Sequence, residues 1–173
     1  PFVHVAALLA AAGLHGPALL AADVERGFLL LADLGATLYL DALREASARQ
    51  ADSLMRDAIR ALVQWQGHVP AAALPPYDDA MLRRELALFP DWCVQREFGL
   101  SWRDAERQTW QRVCDVLVAS ALAQPVVAVH RDWMPRNLMV SDPNPGILDF
   151  QDAAAGPIAY DMASLLRDAF IED

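Results

Sequence analysis

Between Val126 and Asp152 the chain reads VVAVHRDWMPRNLMVSDPNPGILDFQD. Two acids and an amide in this stretch, Asp132, Asn137 and Asp149, could do chemistry, with His130 beside them. A carboxylate such as Asp132 can take a proton from a hydroxyl within hydrogen-bond reach. Asn137 and Asp149 offer the oxygen ligands that a hard cation such as Mg²⁺ prefers. A proton acceptor beside a hard-cation site could serve the transfer or the hydrolysis of a phosphoryl group.

The flanking residues predict the elements that hold them. Val126–Val129 is apolar, rich in valine and opened by Pro125, and reads as a strand. A polar loop follows from His130 to Asn137. Leu138–Val140 resumes the strand pattern, SDPNPG supplies a turn, and Ile147–Phe150 is the last strand. Such a hairpin presents His130, Asp132, Asn137 and Asp149 at strand ends, on one edge of a sheet.

The order of these residues resembles a kinase catalytic loop: His-x-Asp, an Asn five residues on, then an apolar strand ending in Asp-Phe. Asp149 is followed by Phe-Gln rather than Phe-Gly, and GPIAYDMASLL comes next. This set resembles the aminoglycoside phosphotransferase and choline kinase family. The resemblance implies an α+β, protein-kinase-like fold, mainly its helical C-terminal lobe with a catalytic β-hairpin. It implies ATP and Mg²⁺ as cofactors, with Asp132 as catalytic base and Asn137 and Asp149 on the metal. It implies that Asp161 opens a helix and braces the loop backbone, and that His130 packs and hydrogen-bonds behind the loop. Within the family, HRDWMPRNLMV, ILDFQDA and ELALFPDW look like the bacterial kinases that phosphorylate the anomeric hydroxyl of N-acetylmuramate and N-acetylglucosamine. That likeness implies a cytoplasmic setting in cell-wall recycling, with a sugar and a nucleotide as partners.

Bland readings exist for each residue alone. A His-x-Asp is common in turns, Asp132 could cap a turn, and Asp149 could end a strand. The spacing of all of them, with the Pro-x-x-Tyr-Asp element behind, carries the kinase-like reading.

Composition bounds the rest. The chain has 173 residues, 55% of them apolar, enough for a sizeable core. A net charge of −9 argues against a general nucleic-acid or membrane-surface role, since both favour a basic face. Cys93 and Cys114 match no metal spacing and read as small apolar side chains in a reducing compartment. No run is long and apolar enough to span a membrane, and no signal peptide is visible.

All fourteen basic residues are arginine. The resembling kinases hold the nucleotide phosphates with a lysine and a glycine-rich turn near their N-terminus. Neither pattern occurs here, so the chain reads as a fragment. Most of the N-terminal lobe is expected upstream of Pro1 and further helices beyond Ile171-Glu172-Asp173. Residues 1–35 then form the remnant of the small lobe and the hinge strand, and residues 36–173 the large lobe.

Phe2–Ala12 reads as a helix stopped by Gly13. Pro17–Val24 and Gly27–Ala32 read as two strands, the second running into Ala32, Asp33 and Leu34. This resembles the hinge whose backbone meets adenine; the alternative is a buried edge hairpin. Leu38–Ala48 and Ser53–Gln66 have helical spacing, the second with Leu54, Ala58, Ala61, Leu62 and Trp65 on one face and Asp52 or Ser53 as its cap. Asp78–Phe98 is a helical stretch that Pro90 must kink or break. Ser101 is the expected cap of a further helix to about Leu122.

Glu85, Asp91 and Trp92 are candidates for the acceptor pocket. Carboxylates accept hydroxyl hydrogen bonds and an indole stacks on a sugar ring. They could equally be core or surface residues. Arg131 and Arg136 are better placed to meet an anion, a phosphate or a sugar carboxylate, although Arg136 could pair with a nearby acid. Three other readings compete: an aminoglycoside or other small-alcohol kinase, a non-catalytic nucleotide-binding relative, and a metal phosphohydrolase using the same acids.

Overall fold

A computed structural model describes residues 1–168, so the expected interruption at Ile171-Glu172-Asp173 lies outside the described residues. The first helix, α1 (Phe2–Ala11), buries Val5 and Leu9. Gly13 ends it at φ 71°, a left-handed conformation that costs glycine little. Gly13 N bonds to Ala10 O and Leu14 N to Leu9 O, a Schellman ending. The Gln64 amide donates to the Ala12 carbonyl at 2.6 Å and fastens this end to the longest helix.

An antiparallel hairpin follows, β1 (Leu19–Asp23) with β2 (Phe28–Leu31). Leu20, Phe28 and Leu30 on it are exposed. Two helices come next, α2 (Tyr39–Glu45) and α3 (Ala48–His68). The expected apolar face of α3 is present, with Ala58, Ala61, Leu62 and Trp65 buried. Its start is earlier than expected. Ser47 and Gln50 form a reciprocal capping box, while Asp52 bonds to Arg56 at 2.8 Å instead of capping.

The stretch interrupted by Pro90 is indeed two pieces. The first, α4 (Asp79–Leu86), is capped by Asp78, whose carboxylate accepts from Met81 N at 2.9 Å. The second is a wide, π-helical coil over Phe89–Glu97 with Pro90 in its first turn. There the missing N–H of proline breaks no helical bond. The next helix, α5 (Asp104–Leu122), opens at Arg103, whose N–H donates to the Glu106 carboxylate at 2.7 Å. Ser101 lies outside it.

The strands of the catalytic stretch pair differently from the expected single sheet. Val126–Val129 (β3) runs antiparallel to Ala154–Pro157 (β6). Leu138–Met139 (β4) and Gly146–Ile147 (β5) form a separate short hairpin. The strand expected over Ile147–Phe150 therefore stops at Ile147. Asp149 turns to φ 58°, which no extended strand accommodates, though a short polar residue tolerates it. Tyr160–Leu166 (α6) closes the described chain.

One core joins these parts. Val5, Leu9 and Ala12 of the first segment cluster with Leu62, Trp65, Trp133, Ile147, Phe150 and Leu165. The packing thus runs across residue 35 without interruption. No helix among the described residues is long and apolar enough to cross a membrane.

Candidate active site

The site is built on the β3–β6 ladder. The chain leaves β3 at Val129, makes the polar loop and the β4–β5 hairpin, and returns at Ala154, directly opposite Val129. Everything from His130 to Ala153 is an excursion whose two ends are tied together.

His130 is fully buried at the exit of β3, with its ring edge-on to Trp133 at 5.2 Å. Its Nδ1 accepts from Asp132 N at 3.3 Å, which fixes the tautomer with the proton on Nε2. Burial pushes the imidazole down to about 4, against the opposing pull of Asp149 and the Leu148 backbone. It is therefore neutral at physiological pH.

Asp161, in the first turn of α6, is also fully buried. Its two carboxylate oxygens accept from His130 N at 2.8 Å and Arg131 N at 2.9 Å. Burial still raises its carboxyl to about 6 despite these donors. Arg131 needs such fixing, because it sits at φ 80°, an uncommon place for a long side chain.

Asp132 is half-buried. Desolvation and the charge of Asp149 raise its carboxyl, while Arg131 and Arg136 oppose them. A carboxylate of raised basicity close to a second acid is suited to accepting a proton. Asn137 donates its side-chain amide to the Asp132 carbonyl at 3.0 Å, leaving its amide oxygen free to face a cation. Leu148 N donates to Asn137 O at 3.0 Å, which puts Asp149 one residue beyond the partner of Asn137 at the open end of the β4–β5 hairpin. Asp149 is exposed, and its carboxylate accepts from Gln151 at 2.6 Å.

This donor set fits Mg²⁺. The ion usually takes one or two protein oxygens and completes its shell with water and phosphate. Among the described residues no group of three or more His, Cys, Asp or Glu side chains could hold a metal.

The segment Ala32-Asp33-Leu34 follows β2 and runs beside the same hairpin. Leu38 bridges to Met139, and Val140 N donates to Thr37 O at 2.9 Å. A Cβ on Gly146 would come to 3.0 Å from the Leu34 side-chain tip, so the two segments are close here. The Asp33 carboxylate is turned back on its own chain, accepting from Gly35 N at 2.8 Å.

The candidates for substrate contact are distributed otherwise. Glu85 and Arg131 face each other, 2.5 Å apart, rather than open solvent. The hydroxyls of Tyr77 and Tyr160 bond to the second Glu85 oxygen. This partner set was invisible in the sequence, because the residues are far apart along the chain. Asp91 is exposed and borders a cavity of about 300 Å³ that it shares with Gln95, Trp102 and Trp110. Trp92 is exposed, with the Arg96 guanidinium 4.0 Å over its ring. Arg136 is exposed and bonds to the Met134 sulfur at 2.9 Å. Asp132, Asn137 and Asp149 are thus gathered on one loop and hairpin, whereas Asp91 and Trp92 sit on the π-helical coil.

The chain belongs to the phosphotransferase enzyme family, whose pattern it matches over residues 1–173. Membership of this family implies a protein-kinase-like fold, in keeping with the mixed helices and sheets seen here. The sequence is similar to several bacterial N-acetylmuramate/N-acetylglucosamine kinases. It is 57% identical to the one from Pseudomonas putida and 55% to that from Pseudomonas aeruginosa, each over 171 residues and 99% of this chain. It is 47% identical to the one from Neisseria meningitidis over 157 residues. The chain spans about half the length of these curated relatives, 50% of both Pseudomonas proteins and 47% of the Neisseria one.

Proposed function

We propose that this chain carries the phosphoryl-transfer loop of an ATP-dependent sugar kinase acting on the anomeric hydroxyl of N-acetylmuramate and N-acetylglucosamine. The single observation behind the reading is that Asp132 and Asn137 share one braced loop, with Asp149 close enough to act on the Asp132 carboxyl, in a chain this similar to kinases of that name. Residues 1–35 are read as part of the small lobe with the hinge, and residues 36–173 as part of the large lobe. The setting is read as cytoplasmic cell-wall recycling.

In this reading Asp132 orients the acceptor hydroxyl and takes its proton. Desolvation and the nearby charge of Asp149 raise the basicity of its carboxylate, which favours taking up that proton. Asn137 and Asp149 would hold Mg²⁺. Bound Mg²⁺ would supply charge to the phosphate oxygens of ATP and hold them in place. The backbone of Ala32, Asp33 and Leu34 is read as the adenine contact. Asp161 holds the loop so that Asp132 and Asn137 keep their spacing. Trp92 and Asp91 are read as acceptor contacts, with Arg136 meeting an anionic group.

The test is an acceptor panel on the full-length protein with Mg²⁺ and ATP: N-acetylmuramate, N-acetylglucosamine, kanamycin and choline, with the product linkage read by phosphorus NMR. An anomeric sugar phosphate is the expected product. Phosphorylation of kanamycin and of neither sugar would overturn the sugar assignment in favour of an aminoglycoside kinase.

A further inference from the structure

A polar cluster around Glu85 lies outside the catalytic carboxylates. Glu85 stands in the last turn of α4, far in sequence from the loop. One oxygen accepts from Arg131 Nη2 at 2.5 Å, and the other accepts from Tyr160 at 3.3 Å and from Tyr77. The Arg131 guanidinium also lies over the Tyr77 ring, 5.4 Å from its centre, and Nη1 donates to the Asp152 carbonyl at 3.3 Å. Gly156 on β6 makes room for this. A Cβ there would approach Tyr77 to 2.8 Å.

Arg131 is therefore held at both ends. Its backbone N–H is on Asp161 and its side chain on Glu85, while its φ of 80° is one that long side chains avoid. Left-handed backbone at such a residue persists only where surrounding contacts over-determine it. The next residue in the chain is Asp132.

We infer that Glu85 is a positioning residue for phosphoryl transfer, acting through Arg131 to fix the backbone turn that aims Asp132. Glu85 does not meet the sugar. It is a fixed carboxylate, with Tyr77 and Tyr160 as its donors, that captures the guanidinium. This inference rests on the kinase reading.

The test is a double-mutant cycle in the full-length protein with Glu85→Ala, Arg131→Ala and the pair, read both in kinetics and in Tm. A misplaced catalytic group costs on the order of 10²-fold. Glu85→Ala is expected to lower kcat by about that much, with the KM of sugar and of ATP unchanged. The pair is expected to be no worse than Arg131→Ala, as it must be if Glu85 acts through Arg131. Sodium formate, a small carboxylate, is expected to restore part of the kcat of Glu85→Ala and none of that of the pair. A raised sugar KM at unchanged kcat would show that Glu85 contacts the substrate and overturn the inference. Additive losses in kcat would overturn it as well. Thermal coupling between the two residues in a wild-type protein that transfers no phosphoryl group would retire the kinase reading and leave Glu85 purely structural. Absence of thermal coupling in an active enzyme would sink the positioning role alone.

Discussion

Asp161 and His130 are joined by a buried hydrogen bond of 2.8 Å, from the backbone of one to the carboxylate of the other, across thirty-one residues of sequence. The same carboxylate takes the next N–H at 2.9 Å. Two consecutive donors on one carboxylate fix the chain direction where β3 ends and the catalytic loop begins.

The pair also sets opposing pH dependences. Burial lowers His130 from an ordinary 6.5 to about 4, so the stability it contributes is complete above pH 6.5 and is lost as pH falls through about 4. Burial raises Asp161 from 3.8 to about 6, so its contribution is complete below 3.8 and is lost as pH rises through about 6. The two slopes oppose each other between about pH 4 and 6. Asp161→Asn removes one of them. Thermal melts of the full-length protein should then show Tm falling more steeply on acidification in the variant than in the wild type. Parallel profiles would show that Asp161 keeps an ordinary carboxyl.

Gly156→Ala should push Tyr77 away, because the added methyl would lie 2.8 Å from its ring. Overpacking of this kind costs about 1–3 kcal/mol. Urea unfolding of the full-length variant should show that loss. A neutral substitution would mean that Tyr77 is free to move and that Glu85 does not depend on it.

Phe150 follows Asp149 and is buried against Phe2, ring centres 4.7 Å apart. It anchors the turn that presents Asp149 and links α1 to the loop. Phe150→Ala should lower stability by about 3–5 kcal/mol. A loss below about 1 kcal/mol would contradict a shared core.

Asp149→Ala should abolish the Mg²⁺-dependent part of ATP binding to the full-length protein, measured by calorimetry with and without the ion. Binding that is equally Mg²⁺-dependent in the variant would remove Asp149 from the metal site.

Much of this was legible in the sequence, for local reasons. The β3 run of valine and alanine, the stop at Gly13, the break at Pro90 and the apolar face of α3 all follow from short-range preferences. Helix starts differ from expectation where two local signals compete. Ser47-x-x-Gln50 is a capping-box pattern, and it outcompeted Asp52. The pairing of β3 with β6 instead of the hairpin was not legible, because apolar strands do not name their partners. Nor was the Glu85–Arg131 contact. Both side chains looked like surface charges able to meet a substrate, and only the folded chain brings α4 beside the loop. The left-handed backbone at Arg131 had no sequence signal, and at Asp149 only the weak one that an aspartate tolerates it.

The central claim is that Asp132 takes the acceptor proton in phosphoryl transfer. The direct measurement is kcat of Asp132→Asn in the full-length protein, with N-acetylglucosamine as acceptor and ATP binding measured in parallel. Loss of a general base lowers turnover by about 10²–10⁴-fold, and kcat is predicted to fall by that much with ATP affinity unchanged. Turnover close to wild type would contradict the account and take Asp132 out of the mechanism.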